Sequence, residues 1–324
     1  MRFGRSRALL ATATFTALAL AGCSGSGTSP SPTTPTSSSS ASVPASAAAS
    51  SPAGSPSATA AAALPPTFEI DATMSASGTM GYTFPQSTAP AGWATIELVN
   101  QDHQLPHQAQ LFRLHDGTTV DAFTTALMTP AGEGAVMSLA DPMGGPNAIS
   151  GSSPVTAYVK LDPGATYMVI CAIPAPDGQP HYAHGMIGHF SVGQTAGSAT
   201  PPAAASTITL TDFAFGVPDG VDWSKPIDVA NKGTEPHELV IVGAAPGKTL
   251  DDVKAALQAP PGSAPAGPPP YVFFGGVGAI APGSDEVFQP QVAAGDYLLV
   301  CYITDPATGK PHFALGMLLP ITVQ

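Results

Sequence analysis

The chain has 324 residues, with 36 Pro, 34 Gly, only 10% charged side chains and a formal net charge of −12. The length allows about two domains of 100–200 residues each, and the acidity argues against nucleic acid or anionic lipid headgroups as partners, since like charges repel. So many turn formers and so few long helical runs exclude a helix-rich protein and predict short strands joined by turns.

At the start, Arg2, Arg5 and Arg7 precede an apolar stretch, Ala8 to Ala21, that is too short to span a bilayer. Together they read as an export signal over residues 1–22. The stretch ends Leu20-Ala-Gly-Cys23, which resembles the lipobox of bacterial lipoproteins. That resemblance implies cleavage before Cys23, a lipid on Cys23, and an anchored location on the extracytoplasmic face of the cell membrane. A plain secretory signal is the alternative. Residues 23–66 are almost all Ser, Thr, Pro, Ala and Gly, too polar and too small to bury a core, and read as a disordered tether. A seam of the same composition at 194–206 divides the remainder into two parts, 67–193 and 207–324.

The two parts are copies of one another. Ile170 to Met186 (ICAIPAPDGQPHYAHGM) parallels Val300 to Met317 (VCYITDPATGKPHFALGM), LPHQAQLFRL parallels EPHELVIVGA, and GGPNAI parallels GGVGAI. The offset stays at 130 or 131 positions across about 120 residues, which marks a duplicated domain. In chain order each copy predicts an alternating strand (Thr95 to Asn100; Pro226 to Asn231). A second strand follows the first histidine. Next comes a helix, Val120 to Met128 or Leu250 to Gln258, opened by a capping Thr119 or Thr249. Then an apolar strand ends in cysteine, and a closing strand begins after the methionine. Gly275 to Gly278 lacks the Lys-Ser/Thr of a phosphate loop and reads as a turn. Seven or so short strands per copy predict an all-β fold of two tandem β-sandwiches, each with one short helix.

Each copy repeats four side chains: His107, Cys171, His181 and Met186, then His237, Cys301, His312 and Met317. Two imidazoles, a thiolate and a distant thioether form the ligand set of an electron-transfer copper site, because sulfur favours Cu(I) and nitrogen favours Cu(II). A buried core thiol and a Cys171–Cys301 bridge, which needs Cα atoms within about 7 Å, are the alternatives. His184 and His189 flank Met186, and His103 and His115 lie nearby; they read as an exposed polar loop or as a second copper or zinc site.

Here the chain resembles the cupredoxins, the family of plastocyanin and of the type 1 domains of copper nitrite reductases. The resemblance rests on Asn231 followed by Pro236-His237, on its counterpart Asn100 to His107, and on the His-x4-Met spacing of His181–Met186 and His312–Met317. It implies Greek-key sandwiches, one type 1 copper per copy, cysteine as thiolate, histidines as equatorial ligands and methionine as a weak axial one. Two features depart from the family pattern. Nine residues separate Cys171 from His181 and ten separate Cys301 from His312, longer than plastocyanin-like loops, and Gln108 and Glu238 stand where plastocyanins commonly have Asn. Ile170 and Val300 precede the cysteines, so the motifs that join type 1 copper to a catalytic copper are absent, and no nucleophile or metalloprotease motif occurs. The expectation is therefore a membrane-anchored, non-enzymatic protein for one-electron transfer or copper carriage, with a redox or copper-donor protein as partner. The rival reading is a pair of metal-free sandwiches for surface recognition or adhesion.

Overall fold

The computed structural model describes residues 63–102, 104–151, 153–259 and 267–324. The export signal, Cys23, the tether up to residue 62 and His103 lie outside the described residues. The first half runs β1 (Thr67–Met74), β2 (Met80–Thr83), β3 (Thr88–Asn100), β4 (Gln110–Leu114), α1 (Val120–Leu127), α2 (Glu133–Val136), β5 (Ala140–Pro142), β6 (Val155–Leu161), β7 (Thr166–Ile170), a single 3-10 turn at His181–His184, and β8 (Ile187–Ala196). The second half runs β9 (Ser206–Thr211), β10 (Ala214–Gly216), β11 (Ile227–Asn231), β12 (His237–Ala244), α3 (Leu250–Gln258), β13 (Tyr271–Ile280), β14 (Asp285–Phe288), β15 (Gly295–Val300), α4 (His312–Leu315) and β16 (Leu318–Val323).

Each half is a β-sandwich. In the first, β2-β1-β3-β6 form one layer and β8-β7-β4-β5 the other; in the second, β10-β9-β11-β14 face β13-β12-β15-β16. Alternation sets which side chains meet between layers. Phe68, Ile70, Ile96 and Leu98 from one layer meet Leu111, Val169 and Phe190 from the other, while Ile208, Leu210 and Val229 meet Leu239, Ile241 and Leu299. The long helices sit where the caps predict them. Thr119 Oγ1 accepts from the Ala122 N–H at 3.1 Å, and Thr249 and Asp252 form a reciprocal capping box. Phe123 and Leu127 of α1 are fully buried against Phe112, Met168 and Ile170. The expectation of one helix per half needs correction: α2, the turn at His181–His184 and α4 are further short helical pieces, too brief to leave a periodic pattern in the sequence.

The halves meet about a local two-fold axis. The segment around Pro146 pairs antiparallel with its own copy around Val277, through bridges Met143↔Ile280, Pro146↔Val277 and Ile149↔Phe274. Its hydrogen bonds come in symmetric couples: Gly144 N–H to Ala279 O (2.7 Å) with Gly275 N–H to Ala148 O (2.8 Å), and Gly278 N–H to Gly145 O (2.9 Å) with Asn147 N–H to Gly276 O (3.3 Å). A second seam joins β6 to β14, where Ala157 faces its own counterpart Phe288. Such self-complementarity is the mark of an isologous interface, here formed within one chain.

That seam also corrects the reading of Gly275 to Gly278 as a turn. These glycines lie inside β13, paired with β12. Gly276 has φ +134°, and a Cβ there would collide with the Leu239 carbonyl oxygen; at the equivalent Gly145, φ is +105° and the Ala109 carbonyl oxygen is the obstacle. The glycines are needed because two backbones approach closely and bulge there, not for a reversal of the chain.

Candidate metal centres

Each half gathers its first histidine, its cysteine and its second histidine at one end of the sandwich. His107 stands just before β4 and His237 opens β12; Cys171 and Cys301 follow the last residues of β7 and β15. The donor atoms of His107, Cys171 and His181, and of His237, Cys301 and His312, lie within 4.8 Å of one another, and all six side chains are buried. In the first group Cys171 Sγ is 3.4 Å from His181 Nδ1, which is 3.2 Å from His107 Nδ1. In the second, Cys301 Sγ is 3.5 Å from His312 Nδ1, and His237 Nδ1 is 3.0 Å from His312 Nδ1. Both cysteines are free thiols, so the bridged alternative does not hold.

The long Cys–His loops converge because their surplus residues fold back on themselves. In the first, Pro174 bridges Pro180 and the Ala175 N–H donates to Gln179 O at 2.7 Å, so residues between them form a small excursion. His181 is then held by its N–H to Ile173 O (2.9 Å), and the Tyr182 N–H returns to Cys171 O (2.9 Å). The second loop repeats this with Asp305 N–H to Lys310 O, His312 N–H to Ile303 O and Phe313 N–H to Cys301 O; the extra residue is absorbed in the turn at 305–310. Backbone bonds Met186 N–H to His181 O and Cys171 N–H to Met186 O, and their copies at Met317, seat the fully buried methionines beside the cysteines.

Carboxylates the sequence reading missed orient the imidazoles. His107 Nε2 donates to Asp102 at 2.7 Å, His237 Nε2 to Asp212 at 2.7 Å, and His312 Nε2 to Glu235 at 3.1 Å. Asp102 precedes His107 in the same loop, whereas Asp212 comes from the β9–β10 turn. His107 and His237 thus reach the same arrangement by different routes, whereas His181 Nε2 is buried with no hydrogen-bond partner among the described residues. Asp212 is itself gripped by the Thr234 hydroxyl (2.6 Å) and N–H, which, with His237, hold its carboxyl well below the usual range. Glu235, two residues before His237, was findable by proximity; nothing local in the sequence marks Asp212.

Electrostatics make each pocket ready for a cation. An ionised carboxylate only accepts, so His237 and His312 each carry their proton on Nε2 and expose lone pairs on Nδ1. Those lone pairs confront one another at 3.0 Å, an arrangement that a shared cation relieves. Burial, with the facing imidazole, pushes both His181 and His312 down to about 4, so both rings are neutral at pH 7. Burial likewise lowers His107 and His237 against the opposing pull of their carboxylates. Burial also pushes the Cys171 thiol up to about 12 and raises Cys301. A thiolate in such a pocket therefore needs a positive ion beside it, as a bound metal provides. The Glu238 N–H points at Cys301 Sγ at 3.5 Å, and the backbone amides of Gln108 and Ile173 point at Cys171. Donors 3.0–3.5 Å apart suit ligands about 2.0–2.3 Å from one ion, and buried sets of two imidazole nitrogens and one sulfur fit copper in a type 1 site.

The remaining described histidines do not join these groups. His184 pairs with Asp177 at 3.1 Å, His115 pairs with Asp141 at 3.0 Å, and His189 is exposed on β8. Among the described residues the two His–Cys–His groups are the ones with metal-ligand spacing, which removes the second copper or zinc site as an expectation for His184.

No protein-family model matches the chain, and no curated protein matches it. Solved structures with similar folds include auracyanin A, a blue copper protein of Chloroflexus aurantiacus, at 20% identity, covering 40% of this chain and 98% of that one with a TM-score of 0.27. Auracyanin from Roseiflexus castenholzii matches at 23% identity, covering 38% and 99%, with a TM-score of 0.24. The copper nitrite reductase of Nitrosomonas europaea matches at 12% identity, covering 80% and 93%, with a TM-score of 0.22.

Proposed function

We propose that this chain is a copper protein with one type 1-like centre in each half, serving one-electron transfer or copper carriage, and held at the outer face of a membrane by a lipid on Cys23. The observation that carries the copper reading is the pair of Nδ1 lone pairs, each fixed by a carboxylate on the far nitrogen, meeting 3.0 Å apart beside the Cys301 thiol. Copper bound there supplies a one-electron couple between Cu(I), which prefers sulfur, and Cu(II), which prefers nitrogen. The chain's own contribution is positional. Asp212 and Glu235 lock ring orientation, the closed loops fix the cysteine against the second histidine, and complete burial excludes water from His107, His181, His237 and His312. Ligands held this rigidly move little between oxidation states. Met186 and Met317, fully buried beside the cysteines, would add a weak thioether ligand in this reading, and no bond-making step is involved.

Among the described residues no helix is long and apolar enough to cross a membrane, so the proposed attachment rests on Cys23 and the tether. A redox or copper-donor protein is the proposed partner.

Cu(II) added to metal-free protein should bind at two equivalents per chain, with an intense visible thiolate-to-copper absorption. Cys171→Ala and Cys301→Ala should each remove half of it, and the double variant all of it. A colourless protein that retains no copper on desalting refutes the reading and favours the metal-free recognition module.

A further inference from the structure

Between the halves lies a cavity of about 360 Å³, within the size range of small-molecule sites, about 300–1,000 Å³. Equivalent positions of both halves line it, yet the two sides differ in chemistry. Where the first half offers Gln108 and Ala172, the second offers Glu238 and Tyr302. Three rings form one wall: Tyr271 and Phe273 meet edge-on with centroids 5.4 Å apart, and Phe273 and Tyr302 meet at 6.4 Å. The Tyr302 hydroxyl is buried and has no hydrogen-bond partner among the described residues.

Two carboxyl groups face this space, and among the described residues no Lys, Arg or His lines it. Glu238 is anchored by the Tyr302 N–H at 2.8 Å and by the Asn147 side-chain amide at 2.9 Å; both partners are neutral. Glu133, on α2, makes no ion pair or hydrogen bond among the described residues. Burial and the nearby Glu238 push its carboxyl up to about 7, so a cation beside it relieves a standing cost. Ring faces attract cations through their quadrupoles, and a desolvated pocket strengthens that attraction. They offer a bare metal ion no ligand atoms. Exposed Gly134 and Thr304 lie on the rim, giving access from solvent.

We propose that this cavity binds a small organic cation, an alkylammonium or quaternary ammonium head, with its charge beside Glu133 and its carbon shell against Tyr271, Phe273 and Tyr302. The site is distinct from the copper centres and does not rest on their occupancy, so it is tested on metal-free protein.

Calorimetric titration of the full chain with choline should show one saturable site. The uncharged isostere 3,3-dimethylbutan-1-ol should bind roughly tenfold or more weakly, because it keeps the shape and loses the cation–ring and cation–carboxylate attraction. Glu133→Gln, on a short half-buried helix and folded by circular dichroism, should weaken choline by a similar factor. Absence of saturable choline binding, equal binding of the isostere, or unchanged affinity in Glu133→Gln each overturns the proposal. Phosphatidylcholine vesicles separate the sources: sedimentation of the chain with them, reversed by free choline, supports the site with a lipid head group as its occupant. Choline binding without sedimentation supports it with a free solute.

Discussion

Replacing Asp212 by alanine tests whether a carboxylate behind the imidazole governs the second centre. The side chain accepts from His237 Nε2 at 2.7 Å, and that imidazole is fully buried. Its removal leaves a donor without a partner away from water, and lets the ring adopt the other tautomer, with a proton on the nitrogen meant for the metal. Loss of such an outer partner costs about 10- to 100-fold in metal affinity, or about 1.4–2.7 kcal/mol. Only the second centre should suffer, because His107 is oriented by Asp102 instead. The assay is competition for copper against a chromophoric chelator in a Cys171→Ala background, so that one centre is counted. Asp212→Asn should fall in between, since its amide oxygen still accepts while the charge is gone. An affinity within twofold of the parent, or an equal loss at the first centre in the Cys301→Ala background, would refute the reasoning.

Three further outcomes follow from packing, capping and burial. Phe123→Ala empties a fully buried ring site beside Phe112, centroids 5.5 Å apart; it should cost about 3–5 kcal/mol in denaturant unfolding while leaving the copper spectrum of the folded fraction unchanged. Thr249→Ala removes the hydroxyl half of a capping box, leaving the residue-249 N–H to Asp252 in place, and should cost about 0.5–2 kcal/mol, with Thr249→Ser recovering most of it. Glu286 is buried at the seam, accepting from the Gly145 N–H at 2.8 Å, and burial raises its carboxyl well above 4.5. A raised carboxyl binds its proton more tightly folded than unfolded, so its contribution to stability is present below about pH 4.5 and is lost as pH rises. Glu286→Gln, which keeps an acceptor and cannot ionise, should therefore gain on the parent as pH climbs from 4.5 to 8; a constant difference across that range would contradict this.

The sequence made much of this molecule readable because the informative signals are local or repeated. Thr119 and Thr249 stand directly before apolar helical periods, and the alternation in Thr95 to Asn100 identifies a strand without tertiary help. The His–Cys–His–Met set was visible because it occurs twice at one offset. Other features depend on encounters that no short window contains. Asp212 reaches His237 from a different strand pair, and the fold-back of the Cys–His loops rests on backbone bonds between residues of unremarkable type. Gly275 to Gly278 read as a turn because glycine signals conformational freedom without saying whether a reversal or a neighbouring backbone requires it. The inter-half seam gave no warning at all, since an edge strand destined for an intramolecular copy looks like any other edge.

The local two-fold has a consequence for how such a protein can change. In a homodimer every substitution near the axis occurs twice, so a charge introduced there meets its own image, and an added ring must share the space with a second ring. Once both copies belong to one polymer, each position by the axis varies alone. That freedom is written at Gln108 opposite Glu238 and Ala172 opposite Tyr302, where one lobe carries small or neutral groups and the other carries acidity and aromatic bulk.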